Sequence, residues 1–363
     1  MKGSETMTAA QKLIQMLNLG EKDAVVVHNP SNMMYLTQGY TGEGLVYIST
    51  TRQVIVTDFR YTEQAERQST GFEVVMTDKG LSHSDWVARL VKEAGVENIR
   101  YEDNYLTVKD FAVLKDTVGE NVAFLPLNSA PETLREIKED FEIASIRKAC
   151  DITSRTFMEI LGKIHEGMTE KELQIELDFT KLRLGAEADS FKSIVASGEN
   201  GSLCHAIPGE RKLRYGDMIT MDFGCLVNGY CSDMTRTVAL GQPSAQMLHV
   251  YNTVLTAQQM CEDALAPGKK CSDIDKIARD YIDSQGYAGR FGHGLGHSLG
   301  IDIHENPRLS YFCHDITKPG HVLTVEPGVY LPGIGGVRIE NTCLVTETGC
   351  EPLTHAPKEL IIL

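Results

Sequence analysis

The first 149 residues contain no cysteine, and the whole chain of 363 has one tryptophan. Nine cysteines follow, from Cys150 to Cys350, an odd number with no Cys-x-x-Cys pair. That spacing excludes a thiolate zinc ribbon, and the odd count speaks against a disulfide framework. No apolar run approaches the length of a membrane span. Residues 1–10 lack the basic start and apolar core of a secretory signal. Met7 offers a second start, which would make residues 1–6 a non-native leader. Together these absences read as a cytoplasmic protein with reduced thiols. Basic charge is also short: 35 Lys and Arg against 50 Asp and Glu leave a net −15. Nucleic acid and anionic membrane surfaces need a basic footprint, so neither is an expected partner.

The length suits two domains better than one core. In the first part, residues 24–28, 45–49, 53–57, 72–77, 98–101 and 122–125 read as strands, and 84–94 and 108–118 as helices. This alternation predicts a small α/β domain over residues 1–127, carrying no chemical motif and serving packing or oligomerisation. Residues 126–131 read as a linker, and the second domain spans 132–363. It opens on a long helix, with Ile143, Ile146, Cys150, Phe157 and Leu161 on one stripe. Thr169 and Glu172 form a capping-box pattern for a second helix.

The second domain repeats itself. Gly216-Asp-Met-Ile-Thr-Met-Asp222-Phe-Gly224 is echoed by Gly320-His-Val-Leu-Thr-Val-Glu326-Pro-Gly328. Each segment is followed by another carboxylate with threonine two residues on: Asp233 with Thr235, and Glu340 with Thr342. Upstream, Thr169 to Glu172 after Gly167 is matched by Ser272 to Asp275 after Gly268. The pattern predicts two copies of helix–helix–hairpin related by a pseudo-twofold axis.

Asn228-Gly229 is a two-residue hairpin turn signal. Pairing about it sets Asp233 opposite Gly224 and diagonal to Asp222 on one sheet face. The glycine is expected to leave open space there. Two carboxylates so close need a counter-charge, and no basic residue lies between them on that face. Glu326 and Glu340 are expected to pair similarly across a longer turn, lengthened near Pro332–Gly336. Between the two hairpins, Gly292 to Pro307 holds three histidines, His293, His297 and His304, interleaved with glycines that favour extended backbone. Four carboxylates and an imidazole make a hard, oxygen-rich ligand set. Their −4 is balanced by two divalent ions, with Mn²⁺ expected first and Co²⁺, Zn²⁺ or Fe²⁺ as alternatives.

These residues resemble the pita-bread metallopeptidases: methionine aminopeptidase, prolidase and aminopeptidase P. The resemblance runs from about Phe191 to Thr342. It rests on Ser193-Ile-Val-Ala-Ser-Gly-Glu-Asn200, Asp222-Phe-Gly, Ser232-Asp-Met-Thr-Arg-Thr237, His293-Gly-Leu-Gly-His297, Val325-Glu-Pro-Gly328 and Val337-Arg-Ile-Glu340. It implies an α+β fold, a creatinase-like α/β leading domain followed by a pseudo-twofold pita-bread domain. By the resemblance, Asp222 chelates one metal, Asp233 and Glu340 bridge both, and His297 and Glu326 complete the other. His205, His293 and His304 match proton-handling and substrate-contacting histidines, and Glu326 joins them in proton transfer. Arg338 matches a substrate-pocket arginine, with a salt bridge to Glu340 as its alternative role. Arg308 could grip a substrate carboxylate, against a plain surface placement. The leading domain points to the proline-specific branch, which cleaves Xaa-Pro in short peptides as a dipeptidase or aminopeptidase, using a hydroxide held by two metals. A homodimer is implied, with Trp86 as a candidate anchor. Cys204 departs from the proline that many relatives carry before the histidine. Two other readings remain: a non-enzymatic pita-bread binding module and a creatinase-like metal-free amidinohydrolase.

Overall fold

The computed structural model describes residues 7–363, so residues 1–6 lie outside it. The chain divides into two compact units, the first ending at Arg135 and the second running from Glu136 to Leu363.

The first unit is built on a six-stranded sheet. Its strands are β1 (Asp23–Val27), β2 (Leu45–Ser49), β3 (Gln53–Thr57), β4 (Glu73–Met76), β5 (Asn98–Tyr101) and β6 (Ala123–Pro126), in spatial order β4-β3-β2-β1-β5-β6. The central β1, β2 and β3 pair antiparallel, while β4, β5 and β6 add in parallel. Helices connect and flank these strands. They are α1 (Ala9–Leu17), α2 (Pro30–Thr37), α3 (Thr62–Gln68), α4 (His83–Ala94), α5 (Val108–Val118) and α6 (Ala130–Arg135). Only α4 and α5 were legible from periodicity. Helix α1 starts on a Thr8–Gln11 capping box and α2 on Asn29-Pro30, so local start signals existed in both. The expected linker is not one: Pro126 ends β6 and Pro131 sits inside α6. Trp86 is half-buried against the core, donating its indole N–H to the Met76 carbonyl at 3.0 Å.

The second unit repeats helix–helix–hairpin. Helices α7 (Asp140–Ile160) and α8 (Glu170–Arg183) precede β7 (Ala188–Asp189), β8 (Ile194–Ser197), β9 (Met218–Phe223), β10 (Cys225–Val227), β11 (Tyr230–Cys231) and β12 (Met234–Ala239). Helices α9 (Ala245–Ala264) and α10 (Cys271–Ile282) precede β13 (Gly296–Ser298), β14 (Glu305–Leu309), β15 (Val322–Val325), β16 (Gly328–Leu331), β17 (Gly335–Arg338), β18 (Asn341–Val345) and β19 (Cys350–Pro352). Each helix pair backs its own hairpin. Phe157, Leu173 and Leu177 pack on Met221, Phe223 and Val238, while Val254, Ile274 and Ala278 pack on Leu323, Val325 and Val337. On α7 the stripe buries Ile146, Cys150 and Phe157, while Ile143 is half-buried and Leu161 lies past the helix end.

Thr169 does cap α8, accepting from Glu172 N–H at 3.0 Å while Glu172 accepts from Thr169 N–H at 2.7 Å. The echo at Ser272 fails as a cap. Helix α10 starts two residues earlier than a Ser272 cap would set it, with Lys270 as an N-cap that offers no side-chain acceptor. Asp275 turns inward instead, to Arg279 and to Leu295 N–H.

Asn228 and Gly229 form the expected turn, with φ of 52° and 74°. The ladder above it pairs Thr235 with Asp222 and Met234 with Phe223, which sets Asp233 across from Gly224 as expected. The space above Gly224 is not open. A Cβ there would lie 1.8 Å from the Ser232 carbonyl oxygen and 2.4 Å from Ser190 Oγ. Glycine is needed because the strands close in where the ladder breaks, between Asp222 within β9 and Asp233 just before β12.

Candidate metal centre

Asp222 leaves the end of β9 and Asp233 immediately precedes β12. Glu326 follows β15 and Glu340 precedes β18, and the register on both sides places these two directly across from each other. The second hairpin therefore differs from the first, whose carboxylates are diagonal. His297 enters on β13, whose pairing with β14 shifts register just after it.

These five side chains converge. One ligand atom from each of Asp233, His297 and Glu340 lies within 4.8 Å of the other two. His297 Nε2 is 3.6 Å from Asp233 Oδ2 and 3.5 Å from Glu326 Oε1. Asp222 is tied to the group through Arg338, whose Nη2 donates to Asp222 Oδ2 at 2.5 Å. Arg338 is thus the counter-charge that strand spacing did not supply, and its partner is Asp222 rather than Glu340. The guanidinium also donates to Thr235 Oγ1, to the Cys204 carbonyl and to Tyr330 Oη.

The repeated threonines lock the halves together. Thr235 of the first hairpin donates to Glu340 Oε2 at 2.8 Å, and Thr342 of the second donates to the Asp233 carbonyl at 2.7 Å. Each therefore orients the carboxylate residue of the other half. Thr324 donates to Glu326 Oε1 at 3.1 Å and accepts from His297 N–H at 3.0 Å.

The donor set fits divalent cations. Asp222 Oδ1, Asp233 Oδ1 and Glu340 Oε1 are buried acceptors that find no hydrogen-bond donor among the described residues. Buried carboxylate oxygens are normally paired or coordinate a metal. Burial, followed by the neighbouring carboxylates, holds the Asp233 and Glu340 carboxyls far above the usual carboxylate range. His297 is held neutral by burial and by His304, its pKa pushed down to about 3, which leaves Nε2 free as a ligand. Its Nδ1 faces the Ser298 carbonyl at 3.1 Å, which fixes the tautomer.

The cluster forms the floor of a cleft of about 440 Å³. His205, His293, His304, Arg308 and Arg338 line its walls, with Phe191, Ile194 and Ile303 as an apolar surface. Arg308 sits on β14 across from His297, exposed and facing the cleft, so its surface position and its access to the site coincide.

Residues 144–347 match Metallopeptidase family M24, and residues 10–137 match the Creatinase/Prolidase N-terminal domain. This chain belongs to metallopeptidase family M24. A curated Xaa-Pro dipeptidase of Pyrococcus furiosus is 34% identical over 97% of this chain and 99% of its own. The solved Xaa-Pro dipeptidase from Bacillus anthracis superposes with a TM-score of 0.94 at 39% identity, covering 98% of this chain and 99% of that one. An X-Pro aminopeptidase from Thermotoga maritima gives a TM-score of 0.90 at 32% identity, covering 97% and 100%. The fold is that expected of the family: a creatinase-like unit and a pita-bread unit, α+β overall. Metal dependence follows from membership, and the metal-free amidinohydrolase and the non-enzymatic module are not favoured.

Within this metallopeptidase, sequence reading missed Tyr330. Its hydroxyl takes a hydrogen bond from Arg338 at 3.0 Å and lies 2.8 Å from His293 Nε2. With His293 Nδ1 against the Gly294 carbonyl at 2.8 Å, Nε2 is the acceptor and Tyr330 its donor. The signal was faint: a tyrosine two residues after Gly328, on a strand that reads as core. Phe191, Ile194 and Ile303 were missed for the same reason, since apolar residues near a motif look like packing.

Proposed function

We propose that this chain is an Xaa-Pro dipeptidase that hydrolyses the peptide bond preceding proline. The observation that carries this reading is the cleft: a carboxylate–imidazole floor, histidines on the walls and one arginine, Arg308, at the rim. The guanidinium of Arg308 suits the free carboxylate of a C-terminal proline. Two divalent ions, with Arg338 beside Asp222, would offset the four carboxylates, and Mn²⁺ suits oxygen-rich donors. Asp222 would serve one ion, His297 and Glu326 the other, and Asp233 and Glu340 both.

Bound there, the ions would polarise the carbonyl and acidify a water toward a pKa of ~7. The remaining work falls to the protein. Phe191, Ile194 and Ile303 offer the proline ring an apolar surface, and Arg308 sets its carboxylate. The substrate nitrogen carries no N–H in the peptide, so it must gain a proton as the bond breaks. Glu326, on the cleft floor, takes a proton from the attacking water and returns it to that nitrogen. Partial desolvation, then Arg308, pushes the His304 imidazole below its ordinary pKa, and its N–H can donate to the carbonyl oxygen as charge builds there. His205, also exposed and lining the cleft, is a second donor. His293 is held neutral by burial and Arg338, at about 4, and with its Nε2 engaged by Tyr330 it orients rather than titrates.

The test is hydrolysis of an Xaa-Pro dipeptide and an Xaa-Pro-Xaa tripeptide, before and after chelation. Dipeptide cleavage should vanish with chelator and return with Mn²⁺, and the tripeptide should be the poorer substrate. Full activity without metal refutes the reading. Faster tripeptide cleavage makes the enzyme an aminopeptidase.

A cytoplasmic homodimer completes this reading. All nine cysteines are free thiols, which suits a reducing compartment. On α8, Ile175, Phe179 and Leu182 are each at least half exposed at i, i+4, i+7 spacing, an apolar stripe suited to a second copy. Sedimentation should return twice the chain mass, and a single-chain mass overturns the dimer.

A further inference from the structure

Lys138 lies far from the repeat motifs in sequence and is 4% exposed. Its ammonium donates to Glu305 Oε2 at 3.0 Å, to Ser298 Oγ at 3.1 Å and to the Glu136 carbonyl at 3.4 Å. The Lys138 and Glu305 side chains are 1% and 7% exposed, so this is a buried ion pair. Such pairs stabilise little relative to well-packed apolar residues, which directs attention to what the pair holds in place.

It holds the turn between β13 and β14. Ser298 follows His297, and its carbonyl fixes the His297 tautomer. Glu305 Oε1 accepts the Asp302 N–H at 3.1 Å, and Gly300 N–H bonds to the Asp302 carbonyl at 3.0 Å. A Cβ on Gly300 would lie 2.7 Å from Glu305 Oε2, so only glycine lets the carboxylate lie against the turn. This turn delivers Ile303 and His304 to the cleft, with the His304 ring edge-on to His297 at 4.5 Å between centroids.

We propose that Lys138 is a positioning residue: one buried ammonium, acting through Ser298 and Glu305, fixes both the strand carrying His297 and the turn presenting His304. This rests on the dipeptidase reading for its kinetic consequence but not for its structural one. Outer partners of site residues typically contribute 10- to 100-fold. Lys138→Met should therefore lower kcat on an Xaa-Pro dipeptide by about 10- to 100-fold, with KM changed less than about threefold. Hydrogen exchange of residues 300–305 in the metal-free protein should accelerate about tenfold or more. Lys138→Met leaves Glu305 buried without its ammonium and is expected to be less stable. The double variant Lys138→Met/Glu305→Leu removes that charge and should regain the melting temperature, but neither kcat nor exchange protection. If either variant keeps wild-type kcat and wild-type protection of 300–305, the pair only supports the fold and the proposal is wrong. Should the wild-type enzyme fail to cleave Xaa-Pro, the dipeptidase reading falls, while the exchange measurement still decides the role of Lys138.

Discussion

Asp233→Asn is expected to lower kcat/KM on Xaa-Pro substrates by about a thousandfold or more, roughly 4 kcal/mol of transition-state stabilisation. Asparagine keeps the shape of the side chain but removes one charge and one of its two carboxylate oxygens. Asp233 sits where the loss is largest, its ligand atom within 4.8 Å of those of His297 and Glu340. Its Oδ1 has no donor among the described residues, and Oδ2 lies 3.6 Å from His297 Nε2. An amide in that position presents an N–H or a neutral oxygen to a cation, and both bind poorly. Metal content should fall together with activity, read by elemental analysis of protein equilibrated with Mn²⁺. Activity within tenfold of wild type at full metal occupancy would remove Asp233 from the ligand set. Glu340→Gln is expected to behave alike, because Thr235 holds one Glu340 oxygen and leaves the other without a donor.

Mn²⁺ at saturation should raise the melting temperature by on the order of 10 °C at pH 8, and by much less at pH 5. A ligand at a thousand times its Kd contributes ~4 kcal/mol, and each kcal/mol moves a unit of this size by ~2–4 °C. The pH dependence follows from the carboxylates. Burial, opposed by Arg338 and reinforced by Asp222, pushes Glu326 up to about 8. Asp233 and Glu340 are displaced in the same direction. Unfolded carboxyls titrate near ~4, so between there and about pH 8 the metal-free folded state binds more protons than the unfolded chain. Proton binding of that sign makes the carboxylate contribution complete below ~4 and progressively lost as pH rises to 8. Cations compete with those protons, so their effect grows over the same range. Buried histidines act oppositely. Burial pushes His28 and His321 down to about 4, so their contribution is intact above ~6.5 and lost as pH falls. They titrate alike with and without metal and cancel in the difference. Differential scanning at both pH values checks this, and a gain independent of pH would contradict it.

Much of the site was legible because it is carried by short-range pattern. A carboxylate two residues from a glycine, followed by an Asn-Gly turn, can be paired on paper, and the register of Asp222, Gly224 and Asp233 follows from counting. The duplication gave Glu326 and Glu340 by comparison with the first copy, and histidines between glycines marked His293, His297 and His304. The capping box at Thr169 was local, and it formed. At Ser272 the same look misled. The helix there starts two residues earlier, and Asp275 is drawn to Arg279 and Leu295 by contacts that a local pattern does not contain.

What the sequence alone determined is thus the ligand chemistry, the hairpin that brings Asp222 to Asp233, and the internal repeat. Tertiary structure decided everything that needs the two halves at once. It set Arg338 of the second hairpin on Asp222 of the first, and it crossed the threonines so that Thr235 holds Glu340 and Thr342 holds Asp233. It gave the cleft its apolar wall and drew Lys138 beneath the turn that carries His304. The physical reason is range. Strand periodicity and turn chemistry act over a few residues and can be read in order, whereas these pairings span about 100 residues or more and exist only once two separate cores have packed.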